Sequence, residues 1–183
     1  MKKQILYICL FATQLVFSQN NLFKSKKHGF SIIFPNKVET MNAEILGEVF
    51  TSFEMINDFF IMYQVSVLFE LPNQPIIYKK KSLTNLFLEK MIETHSQTGY
   101  DNVKGLYRSP SLFNNKYYSM NYQFQGNWKE ANGLPVYSRG IIIARKQRLY
   151  KVTVIYSKEL HLTKKIDIET NNFINSFNFI VTK

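Results

Sequence analysis

Three observations predict an α+β protein built on an antiparallel sheet flanked by helices. Tyr118, Met120, Tyr122 and Phe124 interleave with Ser119, Asn121, Gln123 and Gln125, the alternation of a strand with one buried and one wet face. Between Ser82 and Gly99 the period lengthens. Leu83, Phe87, Met91 and His95 recur every four residues and are joined by Leu86, Leu88 and Ile92, which predicts a helix with a broad apolar stripe. The order of segments is strands, helix, strands, helix, with short antiparallel connections and too few crossovers for a parallel sheet.

The first residues set the cellular context. Lys2 and Lys3 precede an apolar run from Ile5 to Phe17, broken only by Thr13 and Gln14, and polarity returns at Ser18. This is the pattern of a secretory leader, with Val16 and Ser18 in the positions a signal peptidase reads. The expectation is a signal peptide over residues 1–18 and one domain over residues 19–183, exported to the periplasm or the extracellular space. The run falls short of the ~20 apolar residues a transmembrane helix needs, so no membrane span is expected in the mature chain. The one cysteine, Cys9, lies in this segment. The mature chain would then be cysteine-free, with neither disulfides nor thiolate chemistry. A lipoprotein reading of Cys9 is disfavoured by the bulk of Ile8 before it and by the apolar run that continues past it.

Within the domain, residues 29–34 (GFSIIF) read as a strand closed by Pro35, and residues 44–53 and 59–69 as two strands forming a hairpin around Asn57 and Asp58. Ser82 suits the start of the first helix and Gly99 its left-handed close. After the alternating strand, residues 137–145 and 149–156 form a second hairpin, with Tyr150, Val152, Val154 and Tyr156 on one face. Three consecutive isoleucines, Ile141, Ile142 and Ile143, predict a strand covered on both sides. Thr163 is placed to cap a closing helix with Ile166, Phe173 and Phe177 on one side, followed by a short strand over residues 179–181. There is no internal repeat, low-complexity tract or proline-rich linker, so no domain boundary is drawn.

This plan resembles the superfamily that includes the PsbP extrinsic proteins of photosystem II, the periplasmic DcrB lipoproteins and the Mog-type Ran-binding proteins. The residues that carry the likeness are 28–35 (HGFSIIFP) at the domain entrance, 148–152 (RLYKV) in the late hairpin and 173–177 (FINSF) closing the last helix. The resemblance covers nearly all of residues 27–181. It implies an antiparallel sheet sandwiched by helices and a superfamily used mainly for binding and assembly. Only the architecture transfers, since the photosynthetic and Ran-related roles have no supporting residues here.

Catalytic and cofactor motifs are missing from the sequence. It contains no Gly-x-Ser-x-Gly elbow, no His-Glu-x-x-His, no phosphate-binding glycine loop and no acidic calcium loop. No cofactor, metal site or catalytic residue is therefore assigned, and the expectation is a protein that is not an enzyme. His95 falls in the apolar stripe of the first helix, where a satisfied core histidine is the simpler reading. Glu159 and His161 share a face if their segment is extended, the minimum for a carboxylate-oriented imidazole. A hydrolase assembled from such distant residues is one alternative, and a carrier with an apolar cavity between helix and sheet is another. Asp58, Asp101 and Asp167 sit where turns or helix starts favour an aspartate. Glu39, Glu44, Glu48 and Glu54 read as charges along a wet strand face.

Charge is uneven along the chain. The net charge is +10, or +8 without the leader, and it favours anionic partners. Residues 37–70 hold six acids and one lysine, whereas residues 104–165 hold twelve lysines and arginines against Glu130 and Glu159. Arg145, Lys146 and Arg148 crowd one hairpin turn, and Lys79, Lys80 and Lys81 precede the first helix. Together they could form an anion-attracting patch, with arginine the better partner for planar phosphates or carboxylates; alternatively they are solvated charges that keep strand edges from pairing. Trp128, the one tryptophan, stands with Lys129 beside it in what reads as a long connection, either as a contact anchor or as a lid on the sheet edge. Tyrosines beside cations at Tyr107-Arg108, Lys116-Tyr117 and Tyr150-Lys151 could stack bases, but export makes nucleic acid an unexpected target. The reading is an accessory module of the bacterial envelope that binds a protein partner or an anionic envelope component through Trp128, Lys129, Arg145, Lys146 and Arg148.

Overall fold

The computed structural model describes residues 21–45, 48–57, 60–68, 81–145 and 148–180. The expected leader over residues 1–18 lies outside them, as do Lys146, Lys79, Lys80 and Asp58. Ten strands and two helices are described; all the described pairing is antiparallel, and six of the eight strand pairs join chain neighbours.

A seven-stranded sheet forms the body, in the order β3 (Glu39–Ile45), β4 (Glu48–Ile56), β5 (Met62–Leu68), β9 (Arg148–Ser157), β8 (Leu134–Arg145), β7 (Tyr117–Trp128) and β6 (Tyr100–Phe113). A second, three-stranded sheet places β2 (Phe30–Phe34) between β1 (Asn21–Ser25) and β10 (Asn178–Phe179). The helices are α1 (Lys81–Gly99) and α2 (Lys164–Ser176). Among the described residues no helix is long and apolar enough to cross a membrane.

The two faces of the large sheet bury different cores. Against one face pack β2 and α2, and their Phe30, Ile32, Phe34, Ile166, Phe173 and Phe177 join Phe53, Val65, Val67, Tyr150, Val152 and Val154. Against the other face lies α1, whose Leu88 and Ile92 meet Met120, Tyr122, Phe124, Ile142 and Leu149. The isoleucine run is covered on both sides as expected, with Ile141 and Ile143 in the first core and Ile142 in the second. Tyr150, Val152, Val154 and Tyr156 share the first core as their spacing required. One correction concerns the layers. The face opposite α1 is covered by a small sheet together with α2, so a helix layer on each side describes the molecule only in part.

Other differences from expectation have local causes. The run at 44–53 is two strands: Glu44 and Ile45 end β3 and pair with Val49 and Glu48 of β4, and the turn residue Gly47 in the sequence between them is the signal the reading passed over. The hairpin of β4 and β5 forms as expected, closed by Asn57, whose side-chain carbonyl accepts from the Ile61 amide at 3.0 Å. β6 was not legible, because it is a solvated edge strand with two register shifts and left-handed Asn102 and Gly105. In α1 the buried line is Thr84, Leu88, Ile92 and Ser96, one residue on from the expected Leu83, Phe87, Met91 and His95. Leu83 is 45% exposed. The stripe was broad enough to allow either phase, and the small Thr84 and Ser96 let the helix approach the sheet. Thr163 stands at the α2 start, but its hydroxyl donates to the Leu160 carbonyl at 2.9 Å instead of accepting from the helix.

Gly140 is required where two strands crowd. A Cβ there would collide with the Val152 carbonyl oxygen and sit 2.8 Å from the Tyr122 hydroxyl. The Tyr122 ring lies across this gap, and its hydroxyl is 2.6 Å from Thr153 Oγ1. Gly140→Ala is expected to destabilise the fold by on the order of 3 kcal/mol, since the obstructing atoms include backbone. Denaturant unfolding of the variant beside the wild type measures this.

Candidate functional site

Residues from three turns gather at one end of the large sheet. Arg145 closes β8 and Arg148 opens β9, and the two are paired across the hairpin. Arg145 Nη1 donates to the Gly29 carbonyl at 3.3 Å, and Arg148 Nη1 donates to the Lys27 carbonyl at 3.4 Å. Tyr150 adds a third link, its hydroxyl donating to the His28 carbonyl at 2.8 Å. Three successive carbonyls of the β1–β2 turn are thus held by the β8–β9 hairpin. Gly29 permits this turn by adopting φ +74°. The Arg145 guanidinium lies 4.2 Å from the centre of the Phe179 ring and 5.5 Å from that of Tyr117. Lys116 sits over the same Tyr117 ring at 5.5 Å.

The result is a basic end made of Lys26, Lys27, Lys116, Arg145 and Arg148. Lys26, Lys27 and Lys116 are exposed, and the arginines are half-buried. The arginines therefore do structural work on their carbonyl and ring partners, and the lysines present the free charge. Burial, reinforced by Lys27 and Arg148, holds the His28 imidazole below its ordinary pKa, so the turn adds no further cation near neutrality. Lysines 26, 27 and 116 are the residues sequence reasoning did not join to the hairpin; Lys26 and Lys27 reach it through the small sheet, and Lys116 through the pairing of β7 with β8.

Trp128 and Lys129 lie at the opposite end. Trp128 is the last residue of β7, paired with Tyr100 and Leu134, not a member of a long connection. The link to β8 is a short 3-10 turn over Lys129–Ala131 closed by left-handed Asn132 and Gly133. The half-buried Trp128 packs against the core beneath α1. Lys129 Nζ donates to the Gln97 carbonyl at 3.0 Å and pairs with Asp101 at 3.4 Å. The full length of β8 separates this end from Arg145, about 36 Å at ~3.3 Å per residue, so the proposed contact residues do not share one surface.

A third constellation lies between α1 and the sheet. Lys151 Nζ is 3.3 Å from His95 Nδ1, and the His95 ring packs edge-on against Tyr100, Tyr122 and Phe124. Burial lowers the Lys151 pKa to about 8, opposed by the charges of Glu54 and Glu130. Burial and then Lys151 push His95 well below its usual value, so its neutral imidazole accepts from the ammonium. Glu54 is not a solvated strand charge. It is half-buried and accepts from Ser52 Oγ and Gln64 Nε2, both at 2.6 Å. Burial also raises the phenols of Tyr100 and Tyr122 well above their ordinary range.

The remaining groups stay apart. Residues 158–162 form a 3-10 turn, not an extended segment, so the condition for Glu159 and His161 to share a face is not met. Tyr150 and Lys151 face opposite cores, and Asp167 in the first turn of α2 pairs with Arg139 at 3.2 Å. Among the described residues no three His, Cys, Asp or Glu side chains gather as a metal would require.

The lowered Lys151 pKa has a stability consequence. Between about pH 8 and 10.5 the unfolded chain keeps a proton that the folded chain releases, so this group makes stability rise with pH and costs most below pH 8. Lys151→Met is expected to raise stability at pH 7 by on the order of 2 kcal/mol and to shrink that advantage by pH 10. Urea titrations of both proteins at the two pH values measure it.

No protein-family model and no curated protein sequence matches the chain. Among solved structures, the solution structure of cyanobacterial PsbP (CyanoP) from Synechocystis sp. PCC 6803 superposes with a TM-score of 0.52 at 13% identity, covering 86% of this chain and 91% of that one. The likeness establishes that the chain has a PsbP-like fold.

Proposed function

We propose that this is an exported, non-catalytic accessory module of the bacterial envelope that binds an anionic envelope component through its basic end. The observation that carries the reading is the convergence of Lys26, Lys27, Lys116, Arg145 and Arg148 from three turns of the fold. The two arginines are spent on holding the small sheet, which fixes the turn that displays the lysines. A fixed array of exposed ammonium groups attracts anions at long range and releases them as salt rises. The PsbP-like fold supports an accessory role, because the superfamily it resembles is used mainly for binding and assembly. Export is supported by the leader pattern of Lys2, Lys3 and the apolar run that follows.

Two measurements test this. Expressed in a bacterial host, the protein is expected in the periplasmic fraction or the medium with Gln19 at its N-terminus; an intact Met1 in the cytosol would remove export. Vesicles containing phosphatidylglycerol are expected to bind the protein at low salt and release it at high salt. The combined variant Lys26→Glu, Lys27→Glu and Lys116→Glu is expected to lose at least about tenfold of that binding while melting like the wild type. Unchanged binding by this variant would remove the basic end from the proposal.

A further inference from the structure

The wet face of β7, opposite α1, carries an unused pattern. Asn121, Gln123, Gln125 and Asn127 follow one another at every second position, so their amides point to the same side, roughly 20 Å from first to last. α2 borders the row at one end, where its Asn171, Ile174 and Asn175 line the same depression as Asn121 and Gln123, and Asn121 Nδ2 donates to Ser111 Oγ at 3.2 Å; Asn121 and Gln123 remain exposed, and Gln125 and Asn127 are half-buried. Three open depressions run along this row. The first, of about 350 Å³, is lined by Tyr107, Asn121, Gln123, Arg139 and Asn175 among others. The second, of about 220 Å³, shares Gln123 and Arg139 and adds Gln125 and Tyr137. The third, of about 140 Å³, continues past Gln125 to Asn127 and Lys158. Lys104 lines both the second and the third.

The lining has a definite chemistry. It contains amides, hydroxyls, tyrosine rings and three cations, and none of its residues is a carboxylate. Arg139 is held by Asp167 at 3.2 Å and by Asn171 at 2.9 Å, which orients it and leaves Lys104 and Lys158 as exposed charge. Tyr107 is 55% exposed, and Tyr137 stacks on Tyr156 with 6.0 Å between ring centres. Side-chain amides donate and accept at once, which suits vicinal hydroxyls. Flat aromatic rings suit the apolar faces of sugar rings, and lysines suit acidic substituents.

We infer that this row is a binding groove for a linear glycan segment bearing acidic groups. The amides of β7 read hydroxyls along the chain, Tyr107 supports a ring at one end, and Lys104 and Lys158 pair with carboxylates or phosphates at the other. The groove lies on the sheet face, separate from the turns that form the basic end, and does not depend on them.

The test is calorimetric titration of the whole protein with trigalacturonate, beside neutral triacetylchitotriose and a polyphosphate of similar charge. Saturable binding of trigalacturonate is expected, stronger than that of either comparison ligand. Tyr107→Ala and Gln123→Ala are each expected to weaken it by about fivefold or more, the effect of one lost contact. Lys104→Gln with Lys158→Gln is expected to weaken it and flatten its salt dependence. The charge-reversed basic end should leave it unchanged, which separates this groove from the vesicle-binding surface. All these side chains are at the surface, and matching melting curves establish that the variants fold. Absence of saturable binding at millimolar ligand, indifference to Tyr107→Ala and Gln123→Ala, or equal binding of either comparison ligand would overturn the inference.

Discussion

The fold depends on covering a sheet wider than any single element packed upon it. Seven strands span roughly 30 Å, and one helix covers about 10 Å. The chain meets this by offsetting its two layers. α1 lies over β6, β7 and β8 on one face, and the small sheet with α2 lies over β4, β5, β9 and β8 on the other. Apolar side chains follow the offset: β7 sends Met120, Tyr122 and Phe124 beneath α1, and β4 and β5 send Phe53, Met55, Val65 and Val67 beneath the small sheet and α2. Each face therefore has a polar half. On one side that half is the amide row of β7. On the other it is the Ser52, Glu54, Gln64 and Ser66 group, with the Lys151 and His95 pair at the border of the helix.

The layer opposite α1 is secured by aromatic packing and by directed polar contacts. Phe30 stacks on Phe177 and meets Phe53 and Tyr150 edge-on, so residues from both ends of the described chain interlock over the middle of the sheet. Arg145 closes this cluster at its rim, with its charge on Phe179 and its donor on Gly29. A guanidinium serves here better than an ammonium, since its plane can lie on a ring while its edge donates to a carbonyl. The same choice explains why the hairpin cations are less available to a ligand than their sequence positions imply.

What the sequence disclosed depended on whether a residue's environment is set by its near neighbours. Ile141 to Ile143, the Tyr150 to Tyr156 alternation and the apolar side of α2 were legible because periodicity reports burial directly. β6 escaped because an edge strand with bulges has no period to detect. The phase of α1 escaped because two adjacent stripes were similarly apolar, and the sheet beneath chose the one with smaller side chains. The basic end was half legible: Arg145 and Arg148 stood out, but Lys26, Lys27 and Lys116 join them only through tertiary packing. The Lys151 and His95 contact joins elements 56 residues apart and left no sequence signal.

The pairing of the first described strands with the last has a kinetic meaning. β2 finds its neighbour β10 and its cover α2 at the far end of the chain; Phe30 and Phe177 touch across almost the whole domain. Contacts of such long sequence separation form late, because loop closure must precede any gain from them. The core on that side is complete only once residues 164–179 are in place, whereas the core beneath α1 draws on residues 62–155 and does not need them, so the two faces of the sheet close in sequence and not together.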